Sequence, residues 1–368
     1  MKEARNFNRL PVITWRWLKV NELTLNNYVL PEIKDFSRNV VEAKDIGNVI
    51  VKQEKDKVEL FNNSLFKDLE YGVSKEFVDY AEKFYNTALI IHAPKKEKAL
   101  EPIRIKYEIN EENSNIVSNT VITAEEHSEI TVIIECSTEG EIQGFYNGIT
   151  KIIAKDGAKV NLIKVQTMND KSDYFDSNIA SIGYGAKVNF ISVELGGNLS
   201  ITNYVNNLEE PTGECDLKSI YLGDKNRTID MSYRMNHKAI RTLSNIETRG
   251  VLMDKCKKTF RGTLDFKKGS TRSKASEEEY VILLSPTAKS DAIPLLLCDE
   301  DDVEGAHAAS AGKIDENKLF YLMSRGFNEK EAKKLIVEAS FRPIIDCIPD
   351  EEIKQNIEAQ IQRRLLNE

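Results

Sequence analysis

On residue type and spacing, the chemistry this chain could do concentrates at His307. The residue stands in the stretch from Pro294 to Phe341, where an apolar strand-like run, an acidic turn and a capped helix follow one another. Histidine titrates nearest neutrality of all side chains and is a common metal ligand, so the imidazole could serve acid–base work or hold a metal. Cys298 lies nine residues earlier, on the apolar run Leu295-Leu296-Leu297. Such a cysteine usually acts as a small buried hydrophobe. A strand residue and the turn after it can also meet, which makes Cys298 and His307 a candidate pair. The acidic run Asp299, Glu300, Asp301 and Asp302 would raise the thiol pKa and so disfavour a reactive thiolate. With Glu304 that run suggests a hard-metal loop, but Gly305 is misplaced for an EF-hand and no acidic twelfth position follows. It reads as a solvated turn.

The remaining ligand-type residues are scattered. Five cysteines, at 136, 215, 256, 298 and 347, contain no C-x-x-C pair. That argues against a disulfide framework and against a self-contained zinc or ferredoxin-type site. Cys256 is flanked by lysines in Asp254-Lys255-Cys256-Lys257-Lys258, a setting that favours thiolate, and is expected in a surface turn. His92, His127 and His237 lack ligand-type neighbours and read as structural or exposed. Arg261, Lys267, Lys268, Arg272 and Lys274 read as a solvated face. No G-x-x-x-x-G-K-[ST] loop occurs, so the chain is not expected to hydrolyse ATP.

The elements that position His307 can be read from pattern. Gly157-Ala158-Lys159-Val160-Asn161-Leu162-Ile163 returns 28 residues later as Gly185-Ala186-Lys187-Val188-Asn189-Phe190-Ile191. Weaker echoes begin at His127 and Gly197. A turn and short strand repeated at this spacing is what a β-solenoid requires, because each coil covers its neighbour's open face. A β-sandwich also has short strands but no reason to repeat a pentapeptide. After Lys313 the pattern turns helical. Asp315 caps a first helix carrying Leu319, Phe320, Leu322 and Met323, which Gly326 stops. Asn328 with Glu331 forms a capping box for a second helix, with Ala332, Leu335, Ile336 and Ala339, ending near Pro343. Asp350 caps a third, whose Ile353, Ile357, Ile361 and Leu365 make a narrow apolar stripe that something must cover. Near the N-terminus, Ser74 to Tyr85 has helical spacing in Phe77, Tyr80, Ala81 and Phe84. Trp15 and Trp17 are expected to anchor a terminal arm. Three regions result: 1–85 mixed and helical, 86–312 the β-solenoid, and 313–368 helical.

The 368 residues are long enough for a sizeable core. A net charge of −8 argues against nucleic-acid and anionic-membrane partners. No apolar run reaches membrane-helix length, and the N-terminus lacks the apolar core of a secretory signal, so a cytoplasmic protein is expected.

Asp302, Val303, His307, Gly312 and Asp315, then Leu319-Phe320-Tyr321-Leu322 and Ser324-Arg325-Gly326, resemble the C-terminal signature of the SufB/SufD family of iron–sulfur cluster assembly proteins. Arg9-Leu10-Pro11 with Thr14-Trp15-Arg16-Trp17 is similar to the start of many SufD chains. The chain departs from the signature beside the histidine: Gly305 replaces a frequent cysteine, Ala306 a serine, and Ala308 the glycine of SufD or glutamate of SufB. Glu277 and Val281 replace the usual glutamine and asparagine. The length and the missing glutamate place the resemblance on the SufD branch.

The resemblance implies a right-handed parallel β-helix flanked by a mixed N-terminal region and a C-terminal helical domain. It implies a non-enzymatic scaffold subunit that pairs with a SufB-type chain and binds the ATPase SufC. His307, with Cys298 as a second possibility, is then the residue that would meet iron in a transient cluster. Phe320, Tyr321, Arg325, Ile353, Ile357 and Ile361 are the candidate SufC contacts. A flavin belongs to complexes of the family, and the resemblance assigns it no residue here. One alternative is a SufB-like homodimeric scaffold. A remoter one is a polysaccharide-active β-helix protein, which predicts clustered carboxylates on one solenoid face and export.

Overall fold

The computed structural model describes residues 4–14, 16–36, 38–54, 66 and 69–366. Trp15 lies outside them. An N-terminal arm pairs β1 (Ala4–Phe7) with β2 (Leu23–Asn26) antiparallel. The short strands β3 (Val41–Glu42) and β4 (Ile50–Glu54) follow, then helix α1 (Lys75–Phe84), capped by the Ser74 hydroxyl. Phe77 and Ala81 of α1 are buried as their spacing predicts, whereas Phe84 is half exposed and meets the Tyr80 ring at a tilt, 5.5 Å between centroids.

The rest is a parallel solenoid of about eight turns with two strands in each turn. One sheet stacks β5 (Thr87–Ala93), β7 (Asn115–Ala124), β9 (Phe145–Ala154), β11 (Asp173–Ile182), β13 (Leu199–Leu208), β15 (Thr228–His237), β17 (Lys257–Phe266) and β19 (Lys289–Cys298). The other stacks β6 (Ile103–Ile109), β8 (Glu129–Thr138), β10 (Lys159–Thr167), β12 (Lys187–Glu194), β14 (Glu214–Gly223), β16 (Leu243–Leu252), β18 (Lys274–Leu283) and β20 (Glu304–Lys313). The core lies between the sheets, with Val160, Leu162, Val188 and Phe190 inside.

The internal repeat is one coil laid on the next: Lys159 pairs with Lys187, Val160 with Val188 and Asn161 with Asn189. Alternation sends the valine and the Leu162 or Phe190 inward and the asparagine outward. There Asn189 donates to Asn161 at 2.8 Å and Asn161 to Thr131 at 3.0 Å. Ser276 donates to Asn245 at 2.7 Å further down the same column. The repeated Asn thus bonds coil to coil along the axis. Gly157 and Gly185 both sit at positive φ in the turn, where a side chain would be strained. Of the two weaker echoes, the one at His127 lies one coil earlier in the same sheet, whereas the one at Gly197 leads into β13 of the other.

Both outer faces are partly covered. The arm and α1 lie on the first sheet, where Phe7 meets Phe77 at 4.9 Å and Phe175 at 5.6 Å. Trp17 is 76% exposed, so Phe7 and Leu10, both buried, anchor the arm in its place. Arg261, expected in a solvated face, is buried as well: it donates to Asp230 at 2.7 Å and to the Val20 carbonyl at 2.9 Å. Asp230 also accepts from Asn8 at 2.7 Å, so the arginine fastens the arm.

On the second sheet lie helices α3 (Glu329–Ile345) and α4 (Glu351–Leu366). Before them comes α2 (Glu316–Ser324), with Asp315 accepting from Asn317 and Lys318. The Asn328–Glu331 capping box is present in both directions, and Asp350 accepts from the Ile353 amide at 3.1 Å. Pro343 does not end α3, which runs two residues past it. The buried face of α3 also differs from the expected one: Val337, Phe341, Ile344 and Ile345 join Ala332, while Leu335 is exposed.

Candidate functional site at the open end of the solenoid

The two ends of the solenoid differ. At the start, β3 and β4 pair antiparallel with β6 and β5 and close the first coil, where Phe36, Val40 and Val49 join the core. At the finish, nothing among the described residues pairs with the outer edges of β19 and β20. Every residue of β20 is exposed.

The pairing register fixes where His307 points. Strand β18 buries four residues on its lumen face, Ala275, Glu277, Glu279 and Val281, and on its other face exposes Lys274, Glu278 and Tyr280 while Ile282 packs under the helices. The buried four pair in register with Gly305, His307, Ala309 and Ala311. In-register neighbours in a parallel sheet share a face, so His307 projects on the lumen side, with no further coil above it. Its neighbour Glu277 is only 2% exposed, and the Oε2 atom is buried without a hydrogen-bond partner. Desolvation, then the charge of Glu279, pushes the Glu277 carboxyl up to about 8. Gly262 across the lumen leaves room for this carboxylate, which occupies the space a side chain there would need. Beside it, Glu279 accepts from Lys258 at 2.6 Å and from Tyr221 at 2.9 Å, while burial draws the lysine pKa down.

Cys298 ends β19 in register with Phe266, and so faces the same lumen from the opposite sheet. It is exposed, against the expectation of a buried hydrophobe. Partial desolvation, then Asp265 and Asp299, raise its thiol. The acidic neighbourhood works as anticipated, and no thiolate is favoured. Gly305 has a packing reason: a Cβ there would come within 2.8 Å of Leu296 Cδ1 across the lumen. Among the described residues no group of three or more His, Cys, Asp or Glu side chains could hold a metal ion.

Cys256 is a correction to the surface-turn reading. It is buried against Gly223, and desolvation pushes its thiol up to about 12 despite the lysines beside it. Side-chain alternation turns Lys258 inward too. His237 is structural as expected, bonded to Thr242 at 2.6 Å and Ser244 at 2.8 Å and stacked on Phe266.

The six helical candidates divide. Ile353, Ile357 and Ile361 are buried together with Ile133, Ile163 and Ile191 of the second sheet, so the stripe is used for internal packing and offers no partner surface. On α2 no residue is buried. Phe320 is 74% and Tyr321 56% exposed, and the Arg325 guanidinium lies 5.2 Å from the Tyr321 ring centre.

A family model, the SufBD core domain of the SUF system for FeS cluster assembly, matches residues 107–340, from β6 into α3. The chain belongs to the SufBD family. It is SufD-like: it is 24% identical to the iron–sulfur cluster assembly protein SufD of Bacillus subtilis over 97% of this chain and 89% of that one. A SufBD family protein of Staphylococcus saprophyticus is 25% identical over 84% of this chain and 67% of its own length. One of Mycobacterium leprae is 26% identical over 71% of this chain, which spans 30% of that longer protein. The family match encloses the open end and α2 alike. Sequence reasoning had placed His307 in the site and noted Glu277 only as a departure from the family pattern. That the two are neighbours depends on a 30-residue pairing offset which no local motif announces.

Proposed function

We propose that this chain is a scaffold subunit of SUF-system iron–sulfur cluster assembly that performs no catalysis of its own and joins a SufB-type chain through the open end of its solenoid. The observation that carries the reading is the unpaired last coil with His307 on its lumen face. A parallel strand pair with free edges and an uncovered core is a template for another chain. The donors that a cluster needs and this end lacks, thiolates above all, would come from that chain. His307 supplies an imidazole nitrogen to iron delivered as substrate, and the cluster resides there only while it is built.

In the same reading α2 is where a SufC-type ATPase docks, through Phe320, Tyr321 and Arg325. Aromatic and arginine side chains are the usual anchors of such surfaces. Among the described residues no helix is long and apolar enough to cross a membrane.

The test is co-expression with SufB- and SufC-type chains of the same host, followed by affinity capture of this chain. Capture of both is expected, with Phe320→Ala together with Tyr321→Ala releasing the ATPase alone. A chain that captures neither overturns the reading. A chain that captures only a second copy of itself through the same end supports the homodimeric alternative.

A further inference from the structure

We propose that Glu277 is the second ligand of the iron-binding position, so that His307 and Glu277, adjacent rungs of one lumen column, hold ferrous iron before the partner's sulfur ligands engage it. The inference rests on the proposed scaffold role and names the ligand set and oxidation state of the metal that enters. Four observations support it. The two residues pair in register on neighbouring strands, and such pairs lie about 5 Å apart at Cβ with side chains on one face. The Oε2 atom of Glu277 is buried with no partner, a costly arrangement that a cation would relieve. The glycine at position 262 leaves the carboxylate its space, and the open end gives an ion a path to it. The other buried acid on this face of the strand, Glu279, is already engaged by Lys258 and Tyr221, which leaves Glu277 as the free one.

One imidazole and one carboxylate are donors that suit Fe(II), not the soft thiolate set that selects preformed clusters. Two protein ligands leave the remaining positions to water in the isolated chain and to the partner's side chains in the complex. The exposed Cys298 thiol, at the end of β19, is not a member of the set in the unpaired chain.

Anaerobic titration of ferrous ammonium sulfate into the full chain, followed by calorimetry, tests this. The unmodified protein is expected to bind one equivalent. His307→Ala and Glu277→Gln should each weaken binding at least about tenfold, the scale reached even by outer-shell losses at metal sites, and Cys298→Ser should leave it unchanged. The glutamine is isosteric, and a thermal melt on the same sample separates lost affinity from lost fold; a variant that melts early is replaced by Glu277→Asp with the same expectation of weakened binding. Binding unaffected by Glu277→Gln, or no saturable binding to the unmodified chain, overturns the inference. Capture of the SufB-type chain is measured on the same variants. If the unmodified chain captures the SufB-type chain but binds no ferrous iron saturably, the scaffold role stands and only this inference falls; saturable iron binding without capture removes the scaffold role and leaves the metal site.

Discussion

Single side chains in this solenoid are governed by which way alternation turns them. Cys256 and Arg261 have charged neighbours that suggest surface, yet both are buried, the cysteine in the core and the arginine beneath the N-terminal arm. Ionisable groups sent inward carry pH-dependent stability. Glu194 lies in the lumen near Asp176, accepting from Ser200 at 2.8 Å and Ser192 at 3.0 Å. Desolvation, opposed by those hydrogen bonds and reinforced by Asp176, pushes its carboxyl up to about 7 from 4.5. A folded pKa above the unfolded one means the native state holds the proton longer. The stability contribution is therefore complete below pH 4.5 and is lost as pH rises through about 7. The loss is on the order of 3 kcal/mol at 1.36 kcal/mol per pKa unit. Thermal melts of the unmodified chain should fall between pH 4.5 and about 7, and Glu194→Gln should flatten that fall. Parallel melting curves for the two proteins would count against the assignment.

At the scale of elements, helix boundaries were legible because capping is local chemistry. Asp315, Asn328 and Asp350 each do what their sequence context predicts. What each helix packs against was not legible, since an apolar stripe does not name its cover. The α4 stripe turned out to face the second sheet, and ion pairs hold both ends of the helix: Arg104 with Asp350 and Glu352 at one, Arg364 with Asp224 at 3.0 Å at the other. Ile357→Ala removes a fully buried side chain and should cost about 2–5 kcal/mol in urea unfolding. Phe320→Ala and Tyr321→Ala on α2 should cost less than about 0.5 kcal/mol, the usual range for exposed positions. An α2 substitution as damaging as the α4 one would show that α2 has a cover within the chain. Neutral stability with lost ATPase capture would mark its aromatic face as a surface kept for another protein.

The whole molecule is a stack closed at one end. Coil length was readable because the turn and ladder asparagine recur in sequence, but the open finish was not, since an edge is defined by a strand that is missing. That asymmetry can be tested without disturbing the fold. Ala311 projects on the lumen side, in register with the buried Val281, and is exposed for want of a next coil. A lysine there stays in water in the isolated chain, so Ala311→Lys should leave the melting temperature unchanged. If another solenoid docks over the lumen, the same ammonium is buried without a partner, a penalty of several kcal/mol. Pairing, read by light scattering after co-purification, should therefore be abolished. Ala308→Lys, in register with the exposed Glu278, places the same charge on the outer face of the same strand. It should weaken pairing far less, because its ammonium can remain solvated beside that carboxylate. Equal pairing by both variants would mean that the partner joins elsewhere and that the lumen at His307 faces solvent in the assembly.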